Sequence, residues 1–236
     1  MIERERDSRR HKFRFRRYYA TSQILIITIP TDLHEHLHVE LNRTYDHKLV
    51  RMGLERSWNS IGTATRRAQG HPGGDGGESD SAGGPRPDRE GRDAWPTLVI
   101  EAGDSESLAR LRQDMRWWFE VSNHQVKIVL LAKFNRHRRE IQLEKWEEAP
   151  QAVCPGAMTT RSVTAAVTAS TPAPVLQQRI IITRNATNPP SYNVTRGTLV
   201  LSFRLLFLRA PGPAEGDIIF SIPDLQFYAE CVWAQV

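Results

Sequence analysis

The chain has 236 residues, 39% of them apolar, and a formal net charge of +5. That length suits one large domain or two small ones. Its two cysteines, Cys154 and Cys231, exclude a disulfide framework and a cysteine-based zinc site.

In chain order, residues 1–17 come first. They carry eight Arg and Lys against three acids and read as a basic flexible arm ahead of a single domain over 18–236. Such an arm attracts polyanions by Coulomb steering and counterion release. Phe13, Phe15 and Tyr18 are placed to stack on bases. A solvated tail leading into the first strand, or a nuclear-import signal, are the alternatives. Residues 22–29, rich in β-branched side chains, predict a strand. This first apolar run is far shorter than the ~18 residues of a membrane helix. With no secretory signal, the chain is expected in cytoplasm or nucleus with no membrane partner, and the sequons at Asn42, Asn185 and Asn193 are chance matches.

Thr31 or Asp32 caps a helix whose Leu33, Leu37, Leu41, Tyr45 and Leu49 form one stripe at a spacing of four. It ends near Gly53, and 57–65 predicts a short strand. Residues 69–94, Gly-rich, and 149–175, rich in Ala, Thr, Pro and Ser, read as disordered inserts, because such composition buries too little apolar area to offset backbone entropy. Between them lies a strand–helix–strand unit. TLVIEA is a strand, Asp104 or Ser105 caps a helix with Glu106 in its first turn, and Leu108, Leu111, Met115, Trp118 and Phe119 share one face. Residues 126–134 form a buried-type strand and 139–147 an alternating one. Residues 179–184, 198–208 and 217–221 are further strands, and 223–233 a closing amphipathic helix. Trp95, Trp117, Trp118 and Trp146 are most simply core, with Trp117 nearly opposite Trp118. The sum is an α/β (α+β) domain, a mixed central sheet with flanking helices.

Two constellations carry chemistry. His34-Glu35-x-x-His38 places two imidazoles one helical turn apart, the pattern of a zinc metalloprotease whose Glu is the base. It lies in the first turns of its helix, and Thr44 stands where a longer zinc motif needs a third His. A half-exposed packing helix explains it as well. The second is Glu101, a lone carboxylate ending an apolar strand, costly to bury without a partner or a metal. Acids at such strand ends are where α/β proteins place ligands. A salt bridge to Arg110 or Arg112 is the structural alternative.

PTLVIEAGDSESLARLRQDMRWWF…VKIVLLAKF, with FRFRRYY…LIITIPTDLHEHLHVEL…MGLERSW and LSFRLLFLRAPGPAEGDIIFSIPDLQFYAECVW, resembles an uncharacterised fungal family. Its central unit looks like the restriction-endonuclease-like PD-(D/E)XK core, also seen in the bacterial Uma2-like group. The resemblance implies a metal-dependent nuclease acting on nucleic acid. Two acids hold Mg²⁺, and a Lys two positions after the second polarises the attacking water or phosphate. Glu101 matches the second acid. Asp80 fits the first best, with Asp75, Asp88 and Asp93 as rivals and a solvated loop Asp as the alternative reading. The Lys position is Gly103, so the pattern fails there. Where Uma2-like relatives move the Lys into the next helix, this chain has Arg112-Gln113-Asp114, a charge reversal at Asp114. A parallel crossover would bring the end of the next strand to the same edge, making Lys133 the substitute, with Arg112 behind it and Lys127 at the opposite edge. The expected functions are thus a nuclease with Glu101, Asp80 and Lys133 catalytic and Mg²⁺ on Glu101 and Asp80, or a non-catalytic interaction protein that retains the fold.

Overall fold

Residues 13–62, 65–68, 73–91, 93–149 and 172–236 are described by a computed structural model. Most of the basic arm and of the second insert lies outside the described residues. In chain order the elements are strands β1 (Arg14–Tyr19) and β2 (Ile24–Thr28), helix α1 (Asp32–Arg51), and strands β3 (Trp58–Ile61), β4 (Arg66–Arg67), β5 (Gly76–Gly77), β6 (Ser81–Pro85) and β7 (Leu98–Gly103). Helix α2 (Leu108–Val121) follows, then β8 (Ile128–Asn135), β9 (Glu140–Ala149), β10 (Ala173–Arg184), β11 (Tyr192–Thr195) and β12 (Leu199–Leu201). A short helix α3 (Phe203–Phe207), β13 (Ile218–Phe220) and helix α4 (Ile222–Trp233) complete the list.

Seven strands form one mixed sheet in the order β11-β10-β9-β8-β7-β6-β3. The β7–β8 pair is parallel, as its connection through α2 requires, and the other pairs are antiparallel. The fold is the mixed α+β sheet with flanking helices that the patterning predicts. Alternation along β7 and β8 sends side chains to two cores. Leu98, Ile100, Ala102, Ile128 and Leu130 join the α1 stripe and Leu225, Tyr228 and Val232 of α4, while Val99, Val129 and Leu131 meet Leu111, Met115, Trp118 and Phe119 of α2. Strands covered on both faces read as unbroken apolar runs. A second sheet, β2-β1-β5-β4, is antiparallel and carries the N-terminal hairpin.

Four expectations are corrected. Arg14–Tyr19 is a strand whose backbone is paired to β2 and β5, so the arm becomes ordered before residue 17. Residues 76–85, read as part of a disordered insert, supply β5 and β6. Their glycines are there for space: a Cβ on Gly83 would lie 2.4 Å from the Trp58 indole nitrogen, and one on Gly77 2.1 Å from Arg17 Nη1. Helix α2 is capped by Ser107, whose side chain accepts from Arg110 N, so Glu106 precedes the helix instead of lying in its first turn. Residues 203–207 turn into α3, since Asp217 accepts from Phe203 N and leaves β12 only three residues long.

Candidate functional site

The site is assembled by four elements around the C-terminal end of β7. Glu101 points to the α2 side with Val99 and is fully buried. Its Oε1 accepts from the Trp118 indole N–H, and Oε2 lies 3.5 Å from Arg16. Asp80, just ahead of β6, is 6% exposed. Its Oδ2 accepts from Ala102 N at 2.8 Å, and its Oδ1 contacts His34 Nε2 at 3.1 Å and Arg14 at 3.2 Å. Asp80 is therefore a buried, fully engaged carboxylate rather than a solvated loop residue, and it shares one cluster of charge with Glu101. Its pairing with Arg14 forms another tie to β1.

Asp114, in the second turn of α2, is fully buried. It accepts from Arg16 Nε and Nη2 at 3.1 and 3.0 Å and from Arg17 Nε at 3.2 Å. Neighbouring residues of a strand normally face opposite sides. Here the β1–β2 register shifts between Phe15 and Arg17, and an irregularity of this kind re-aims side chains, so both arginines reach one acid. Glu106 adds an ion pair to Arg16 at 2.9 Å. The Arg17 guanidinium also lies over the Trp117 ring at 4.0 Å and the Trp118 ring at 4.9 Å. Trp117 is thereby buried against Arg17 and Trp95 and offers no exposed face for stacking.

These charges set one another's ionisation. Burial would strip Arg16 of its proton, yet Glu101, Asp80, Asp114 and Glu106 outweigh it and hold the guanidinium above its ordinary value. Burial pushes Glu101 up to about 8, against the pull of Arg16 and with the push of Asp80. Asp80 is held well below the usual range: burial opposes this, but the hydrogen bond and charge of His34, and Arg16, prevail.

Lys133 is not brought to this cluster. It pairs with Gly103 across β7–β8, but its ammonium donates to the carbonyls of Asp104 and Phe134, and burial lowers its proton affinity. Arg112 instead serves Glu144, a third fully buried acid, through bonds of 2.6 and 3.0 Å, alongside Arg179, Gln142 and Trp146. The sequence reading missed Arg14, Arg16, Arg17 and Glu144 as members of buried networks. The period-two Phe13-Arg14-Phe15-Arg16 pattern was the available signal for β1.

The donor set does not fit Mg²⁺. Both Asp80 oxygens are taken, Glu101 is inaccessible to water, and a guanidinium stands 3.5 Å from the one Glu101 oxygen without a hydrogen bond. An ion that keeps several waters at ~2.0–2.1 Å has no room beside that cation. A Lys at the missing position would also displace the buried Leu111 side chain, because a Cβ on Gly103 would lie 2.9 Å from Leu111 Cδ1. Gly103→Lys is expected to lower unfolding free energy by about 1–3 kcal/mol through overpacking and to create no cleavage. Urea titration with a nuclease assay on the same protein checks both halves.

No family model and no curated protein matches the sequence. A solved structure from Anabaena variabilis, described as a "putative nuclease belonging to DUF820", is similar at a TM-score of 0.41 and 11% identity, over 64% of this chain and 83% of that one. At that level the function rests on the residues of this chain. Among the described residues no helix is long and apolar enough to cross a membrane.

Proposed function

We propose that the chain is a nuclease-like protein that binds nucleic acid and does not cleave it, its carboxylate centre having become a closed ion-pair network. The observation that carries this reading is the Arg16 guanidinium, which supplies among Glu101, Glu106 and Asp114 the positive charge that a catalytic metal would supply. The net charge of +5 and the basic residues that the sequence carries ahead of β1 support attraction to a polyanion. The resemblance of the sequence to the PD-(D/E)XK group suggests that the polyanion is DNA or RNA.

Purified protein is expected to leave labelled DNA and RNA intact in Mg²⁺, to keep its melting temperature when Mg²⁺ is added, and to bind both ligands with an affinity that falls as salt rises. Mg²⁺-dependent cleavage that disappears in Glu101→Ala would restore the nuclease reading. Absence of binding at low salt would leave the second expectation, an interaction protein that keeps the fold.

A further inference from the structure

The first two turns of α1 hold a second arrangement, joined to the arginine network through Arg14 and Asp80. His34, Glu35 and His38 each offer one ligand atom, and these atoms lie within 4.8 Å of one another. Each imidazole already has one nitrogen held, His34 Nε2 by Asp80 at 3.1 Å and His38 Nδ1 by Ser81 Oγ at 2.9 Å. Outer partners of this kind fix tautomer and ring orientation in metal-binding histidines.

When His38 Nδ1 donates to Ser81, Nε2 presents a lone pair. That nitrogen is buried, on a residue 2% exposed, and has no hydrogen-bond partner among the described residues. It stands 3.4 Å from Glu35 Oε2. The other Glu35 oxygen, Oε1, is also buried without a partner, while Arg14 holds Oε2 at 2.8 Å. In that tautomer the lone pair and the carboxylate face each other, a contact that is relieved either by a proton on Nε2 shared with Glu35 or by a cation bound between the two.

We propose that His34, His38 and Glu35 bind a divalent transition-metal ion of the zinc class. Two imidazoles at i and i+4 with one carboxylate suit zinc or cobalt, whereas Mg²⁺ prefers an all-oxygen shell. Binding draws the ligand atoms from as far as 4.8 Å apart to about 3.3 Å, the tetrahedral spacing for bonds of ~2.0–2.1 Å. Glu35 is a ligand here and not a base, which separates this site from a protease centre. The proposal does not depend on nucleic-acid binding.

The test uses the full chain, stripped with a chelator and titrated with Zn²⁺ and with Co²⁺. Stoichiometric uptake, a raised melting temperature and visible Co²⁺ bands of a tetrahedral site are expected, with Mg²⁺ giving none of these. His38→Ala should weaken uptake by more than about a hundredfold, beyond the ~10–100-fold that loss of an outer partner costs. Glu35→Ala removes a ligand that is partly exposed, so it tests the site even if His38→Ala misfolds, and should weaken uptake to a similar degree. No uptake by folded wild type, or uptake unchanged in folded Glu35→Ala, would overturn the proposal, since the remaining histidines would then account for any binding.

Discussion

Asp114→Ala loses about 3–5 kcal/mol of unfolding free energy, enough to abolish folding if the native margin is ordinary. Asp114 is fully buried and takes three hydrogen bonds from Arg16 and Arg17, which are 3% and 0% exposed. The intact network need not be worth that much, because taking these ions out of water offsets most of their attraction. Removing one partner is different: two guanidinium groups stay in the interior with only Glu106 and Glu101 as neighbouring acids. Asp114→Asn keeps the shape and one acceptor but loses the charge, so it should fall between wild type and alanine. Urea denaturation of the three proteins gives the order. A loss under about 1 kcal/mol for alanine, the scale of a surface ion pair, would mean that water reaches the centre.

The second expectation concerns pH. Glu101→Gln makes shallower a fall in stability that wild type shows as pH rises from about 5 to 8. Burial raises the Glu101 carboxyl from 4.5 to about 8 in the folded chain. The folded state therefore keeps a proton that the unfolded state releases. Stability from this group is complete below about 4.5 and is lost as pH rises through about 8, by an amount on the order of a few kcal/mol. Gln retains an acceptor for the Trp118 N–H and cannot ionise, so the variant should match wild type near pH 5 and exceed it above pH 8. His34, also raised once burial is outweighed by Asp80, contributes a loss of the same sign to both proteins and cancels in the comparison. Asp80, held low, matters only below the chosen window. Equal slopes in the two proteins would show that Arg16 and Arg17 keep Glu101 ionised. A protonated Glu101 is also a poor metal ligand, since ligation requires its proton to leave.

What could be read from the sequence follows from how each element is stabilised. Helix α1 and the β7-α2-β8 unit bury long periodic apolar faces, and their patterns reveal them. Strand β6 is buried along most of its length but brings only small side chains. It lies in the main sheet because Trp58 needs a neighbour without a side chain at Gly83, and composition records that need only as a glycine run. Strand β1 was hidden by its arginines, whose charges look like a solvated tail until a buried acid from a distant helix is known. Asp80 was legible by position and Asp114 as a reversed charge, but their burial was not, since it comes from β1. Lys133 was placed by topology at the correct edge. Its flexible chain then found nearer carbonyl groups, an outcome that strand register does not determine.

The reach of β1 also sets an order of events. Arg16 precedes Asp114 by 98 residues in the chain. Closing so long a loop is entropically unfavourable until the sheet and α2 already hold the acid in place. The network then acts as a late latch. Loosening it should quicken escape from the native state while leaving the rate of arrival almost unchanged, making the N-terminal hairpin the guardian of the lifetime of the fold.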